Sequence, residues 1–241
     1  DSGLIIAELE RRFPSPTFYP TRDAGLVKLL SRWTDGLMFD QAVKIVLGSA
    51  GDALPSDFAK DRGRLYLGPN WAEGLKAAGD AIPHLAAQMR GPLSWINDQL
   101  SDGRAFLLGD APGAIDAQMY HIIWFLRGRW KQGGAFLAEF ADLERWESNV
   151  GDIGHGKATE MSPMDAIKAA IESVVASEEH SDPADPQGFL PGMQVMVSPD
   201  LDGGEQPVTG RIRSALANRV SLIREDPDLG QVCVHFPRVG Y

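Results

Sequence analysis

The hydrophobic period changes once along this chain, and that change constrains the fold more than any other feature. Up to about residue 178 the apolar residues recur at spacings of three and four; beyond it they alternate. The first spacing places a stripe along one face of a helix, and the second places side chains on one face of a strand. The chain therefore reads as a mainly helical protein that ends in a small sheet.

The helical part opens on DSGLIIAELERRFP. Leu4, Ile5, Leu9 and Phe13 form the apolar face, and Ser2 stands where an N-cap belongs. Pro14 ends the helix, and Pro14, Pro16 and Pro20 make a stiff connector. Residues 23–47 read as one long helix carrying Leu26, Leu29, Leu30, Trp33, Leu37 and Val43. A further helix is expected after Pro55, with one or two more across 70–100, where Pro83 and Pro92 each start or kink a segment. FLLGDAPGAIDAQMYHIIWFLRGRW reads as a loop feeding a strongly apolar helix, followed by helices over 135–150 and 162–177.

The acidic, proline-bearing stretch 179–188 reads as a linker. After it, MQVMV, PVTGRIR, RVSLI and QVCVHF read as four strands separated by the turn compositions DLDGG, ALAN and EDPDLG. About fifty residues holding four strands point to a small SH3-like barrel. The expected domains are 1–14, 15–178 and 189–241, with the linker between the last two.

A formal net charge of -10 argues against nonspecific nucleic-acid binding. The single cysteine, Cys233, excludes an internal disulfide or cysteine-rich zinc framework and fits a reducing, cytoplasmic setting. MYHIIWFL is too short to span a bilayer. The histidines, His84, His121, His155, His180 and His235, show no metal-ligand spacing, so no metal is expected. No P-loop, Rossmann or GxSxG motif is present, and Gly151, Gly154 and Gly156 suit a turn better than a phosphate loop. Cys233 alternates with Val232 and Val234 as a buried structural cysteine would.

Asp116 falls in the first turn of the apolar helix, where a carboxylate accepts free N–H groups, a structural role. The tryptophans at helical spacing are expected in the core, with Trp33 lining a cleft as the alternative.

The Asp1–Ser2 pair capping a helix, the long helix that follows, and GDAPGAIDAQMY opening a later helix together resemble the glutathione transferase family. The resemblance covers residues 1–177. It implies a thioredoxin-like domain followed by an all-helical domain, and makes residues 1–14 the last helix of the former, the rest of which is expected to be missing here. It assigns Asp1 and Ser2 to holding the γ-glutamyl end of glutathione as co-substrate. The family's second motif runs glycine, a Ser or Thr cap, then aspartate. Gly109 and Asp116 match it, with Gly113 at the cap. The family's activating residue lies in the domain that is missing, so no catalytic residue is assigned.

The function implied is attack of a glutathione thiolate on a small electrophile in a homodimeric protein. Trp33 and Phe39, on the first long helix, are the candidates for the electrophile side. The alternative is a non-catalytic dimeric scaffold or ligand-binding protein. Its C-terminal barrel would serve as an interaction module presenting Arg211, Arg213, Arg219 and Arg224.

Overall fold

The computed structural model describes residues 1–173, 179–200 and 206–241. It is mainly helical with a small C-terminal sheet. Contacts divide it into two compact units, one of Ile6–Gly156 and the other of Asp1–Ile5 with Lys157–Tyr241. The division falls at Gly156, ahead of residue 178. Among the described residues no helix is long and apolar enough to cross a membrane.

The first helix, α1 (Ser2–Arg12), is tied to the connector by one side chain. The Glu10 carboxylate accepts the Thr17 hydroxyl and the Phe18 N–H. Helices α2 (Ala24–Trp33) and α3 (Phe39–Ala50) are joined without a break by a π-helical turn, Thr34–Met38. The expected long helix is thus present, widened at one place by an extra residue per turn. α4 (Ser56–Leu67) begins after Pro55, and α5 (Trp71–Asp80) and α6 (Ile82–Leu100) follow. α6 runs through Pro92, which is buried within it. α3 and α5 approach closely because both are glycine-bearing. A Cβ on Gly48 would lie 2.6 Å from the Ala78 carbonyl carbon and from the Gly79 nitrogen.

α7 (Ala114–Arg129) is the axis of this unit, with Ile115, Met119, Ile122, Ile123 and Leu126 all buried. The helix expected over 135–150 is instead two, α8 (Gly133–Leu137) and α9 (Ala141–Gly151). Phe140 leaves the helical region, and Asn97 of α6 supplies the new start, its Oδ1 accepting the Asp142 and Leu143 N–H groups. Local periodicity does not register a cap provided from another helix.

In the other unit, α10 (Pro163–Glu172) is capped by Ser162, whose Oγ accepts the Asp165 N–H. The helix ends at Glu172 because Ser173 is extended, so it is shorter than expected. Residues 174–178, the remainder of that expectation, lie outside the described residues, as does most of the DLDGG turn. Among the described residues the sheet has five strands: β1 (His180–Ser181), β2 (Gln194–Val197), β3 (Val208–Leu216), β4 (Arg219–Asp226) and β5 (Gly230–Pro237). The order is β1-β3-β4-β5, and β2 pairs with the other end of the β3 edge. No ladder among the described residues joins β5 to β1 or β2, so the sheet is not closed and the expected SH3-like barrel is not shown, although the Asp200 N–H donates to the Gly240 carbonyl. Ile212, Ala215, Val220 and Leu222 form its small core.

The stretch expected as a linker pairs with this sheet. β1 pairs in parallel with β3, and the Asp182 N–H donates to the Ala215 carbonyl. Arg238 donates to the buried Asp185 carboxylate, to Gln187 and to the Leu216 carbonyl. Proline and acidic content alone suggested a solvated segment; the arginine that fixes it lies over fifty residues away.

Candidate functional site

At the start of α1 the carboxylate Oδ1 of Asp1 accepts the Leu4 N–H at 2.9 Å. Asp1 is therefore the cap, and Ser2, expected there, is the first helical residue. The difference is one position: a carboxylate just outside the helix reaches the third N–H. The N–H groups of Ser2 and Gly3 and the Ser2 hydroxyl are left at the positive end of the helix dipole. A small carboxylate fits those donors, and the second Asp1 oxygen remains for an ammonium group. Asp1 and Ser2 are the residues to which the resemblance assigns glutathione.

Within the helical unit, α2, α6 and the start of α7 enclose a groove of about 480 Å³. Trp33 and Leu30 form one wall, Pro92, Trp95 and Ile96 the other, and Ile115 and Met119 the floor. Its polar side chains are Thr34, whose hydroxyl donates to the Ser31 carbonyl, and Gln99, whose amide donates to the Leu107 carbonyl. No lining side chain is charged. Trp33 thus stands in a cleft and not in the sealed core. Trp95, not singled out from the sequence, is 66% exposed at the groove's edge. Its signal was present: Pro92, Trp95, Ile96 and Gln99 follow helical spacing along one face of α6.

Phe39 does not join Trp33. Six residues farther along, beyond the π turn, it packs on Tyr66, His121 and Phe125, with ring centroids 5.3 Å from His121 and about 6 Å from the others. Asp35, in the π turn itself, interacts with His121 and Arg32. Partial desolvation of its carboxyl raises its pKa above the ordinary carboxylate value, against the downward pull of His121 and Arg32. The two residues expected on one substrate face therefore belong to two.

Asp116 is 2% exposed. Its Oδ1 accepts the Leu107 N–H and the Trp146 indole N–H, both at 2.8 Å, and its Oδ2 accepts the Gly113 N–H at 2.8 Å. The carboxylate ties the loop before α7, the start of α7 and α9 into one point. Gly109 sits at φ 146°, a region that favours glycine, where the chain folds back on Phe106. Gly113 meets the connector: a Cβ there would lie 3.1 Å from the Phe18 carbonyl oxygen, which itself accepts the Ala114 N–H. This contact accounts for glycine at a position where a hydroxyl cap is common.

In the sheet, Arg211 pairs with Ile223, and Arg211 and Arg224 both line a trough with Gln194, Thr209 and Glu225. Cys233 is half-buried and accepts a hydrogen bond from Arg213 at 3.4 Å. Among the described residues no His, Cys, Asp and Glu group could hold a metal.

Residues 79–147, which contain α6, α7, Asp116 and much of the groove, match the model of the glutathione S-transferase C-terminal domain. Among solved structures the whole chain superposes on a GST-like protein from Pseudomonas syringae, with a TM-score of 0.76 and 27% sequence identity. The match covers 100% of this chain and 74% of that one. No curated protein matches the chain.

Proposed function

We propose that this chain, similar over residues 79–147 to the glutathione S-transferase C-terminal domain, serves a protein that conjugates a glutathione thiolate to a small apolar electrophile, the family's activating residue not being among those assigned. The observation that carries this reading is the uncharged groove at Trp33, whose volume falls in the range of small-molecule sites. Apolar walls and a tryptophan suit a molecule that water disfavours.

On this reading the α1 N-terminus holds the peptide. The Ser2 hydroxyl and the free N–H groups of Ser2 and Gly3 take the γ-glutamyl carboxylate, and Asp1 takes its ammonium. Leu30, Trp33 and Ile96 hold the electrophile out of water, and Asp116 keeps the groove's floor in place by fixing the start of α7. A homodimer in the cytoplasm belongs to the same reading.

The test is glutathione binding by calorimetry, with adduct formation from a chromogenic aryl halide followed by mass spectrometry. Expected are binding that weakens roughly tenfold in Ser2→Ala, the size of one charge-assisted hydrogen bond, and, from a protein that also carries the family's activating residue, an aryl–glutathione thioether formed with loss of the halide as HX. A chain that neither binds glutathione nor forms adduct sinks the reading and leaves the dimeric scaffold.

A further inference from the structure

The C-terminal sheet carries a pocket of its own, of about 290 Å³. It lies between β2 and the end of β5, two strands that no ladder among the described residues joins. Val195 and Val197, at alternate positions of β2, bring the edge of the sheet's small core into its wall. Phe236 and Tyr241 make a corner, their ring centroids 5.4 Å apart and their planes inclined at 53°. A third ring, Phe189, already holds a cation: the Arg238 guanidinium lies 5.7 Å from its centroid.

Two charged residues line this pocket, Asp200 and Arg238. Arg238 is fully engaged by the Asp185 carboxylate, which is 2% exposed, by Gln187 and by the Leu216 carbonyl. The Asp200 carboxylate makes no hydrogen bond or ion pair among the described residues. One uncompensated negative charge therefore stands beside aromatic rings whose faces are also negative. Such a pocket attracts a cation and repels an anion. Its walls decide which cation. A primary ammonium brings three N–H donors, and the mostly aromatic and aliphatic lining leaves them short of acceptors. A methylated ammonium has few or no donors to satisfy, and its methyl groups pack directly on the rings. We propose that this pocket binds a small methylated ammonium cation, with Phe236 and Tyr241 as the aromatic corner and Asp200 as the counter-charge. The site is separate from the Trp33 groove and does not depend on conjugation.

The experiment titrates the full chain with three probes and follows its amide chemical shifts. Choline carries the methylated ammonium, ethanolamine the primary one, and 3,3-dimethylbutan-1-ol has the shape of choline without the charge. Saturable shifts at Val197, Asp200 and Tyr241 are expected with choline. The other two probes are expected to bind roughly tenfold more weakly, the scale of a partly desolvated cation–π contact. Asp200→Asn weakens choline by about fivefold, the scale of one charge attraction at a partly exposed site, and leaves the alcohol unchanged. Tyr241→Leu keeps apolar bulk, removes the ring and weakens choline by about fivefold, whereas Tyr241→Phe keeps its affinity. Asp200 is exposed and Tyr241 is 37% exposed, so these variants leave the sheet's core residues in place. Melting curves accompany each, and Asp200→Asn decides should Tyr241→Leu fail to fold.

Absence of saturable choline binding overturns the proposal, as do choline shifts confined to the helical unit. Equal or tighter binding of the neutral alcohol overturns it too, because burial alone then accounts for the affinity. Equal or tighter binding of ethanolamine overturns the methylated class, and choline binding that a folded Asp200→Asn or Tyr241→Leu leaves unchanged overturns the assigned residues. Glutathione takes no part in these titrations, so their failure leaves the conjugation reading untouched, and failure of that reading leaves this site untouched.

Discussion

Asp116 concentrates the polar energetics of the helical unit in one side chain. Three N–H groups converge on it with almost no solvent, so Asp116→Ala strands all three donors. The expected cost is about 3–5 kcal/mol, the range for removing one partner from a buried charged network, read as a shift in the urea midpoint. Trp146→Phe keeps most of the packing and removes one donor, so about 1–2 kcal/mol is expected. Glu10 and Asp35 respond to pH in opposite senses. The Thr17 hydroxyl and then the Phe18 N–H hold Glu10 below its ordinary value of 4.5. Its contribution is present above that value and is lost as pH falls through the lower folded one. Partial desolvation holds Asp35 above its ordinary value of 3.8. Its contribution is present below that value and is lost as pH rises through the higher folded one. Carboxyl chemical shifts followed from pH 2 to 7, roughly spanning the carboxylate range, should show Glu10 titrating below Asp35. The reverse order would show that the Glu10 contacts do not hold in solution.

At the scale of elements, two contacts decide packing. Gly48→Ala drives a Cβ into the backbone of α5, and backbone atoms cannot rotate away. About 3 kcal/mol of destabilisation is expected, with loss of helical circular dichroism at lower temperature. A melting point unchanged from the parent would mean the two helices can separate freely. In the other unit, Arg238→Ala leaves the buried Asp185 carboxylate without its cation. Limited proteolysis should then cut within 182–189, a stretch that composition alone reads as open. The existence of nearly every helix was legible from spacing, because each buries one apolar stripe. Their ends were less legible. The split between α8 and α9 depends on Asn97, and the strand β1 depends on pairing with β3; both partners are remote in sequence. The π turn leaves no mark in the periodicity, yet it separates Trp33 from Phe39.

At the scale of the whole molecule, stability is unevenly distributed. The helical unit is built around twenty buried apolar residues, while the sheet has four. Hydrogen exchange should therefore be faster in β3–β5 than in α6 and α7. Leu222→Ala, at a fully buried site, is expected to remove about 3 kcal/mol from the sheet and to accelerate exchange there. Protection of the sheet equal to that of α7 would contradict this distribution.

The sequence by itself determined the mainly helical character, the switch to strands, the structural place of Asp116 and the candidacy of Trp33, because each follows from local period or from one residue's position in a helix turn. Tertiary structure decided the rest. It added β1 to the sheet, fastened the acidic stretch, moved the cap from Ser2 to Asp1 and built the groove by adding Trp95 and Gln99 to Trp33. A groove is a relation between helices whose residues lie some sixty positions apart, and only packing brings them face to face.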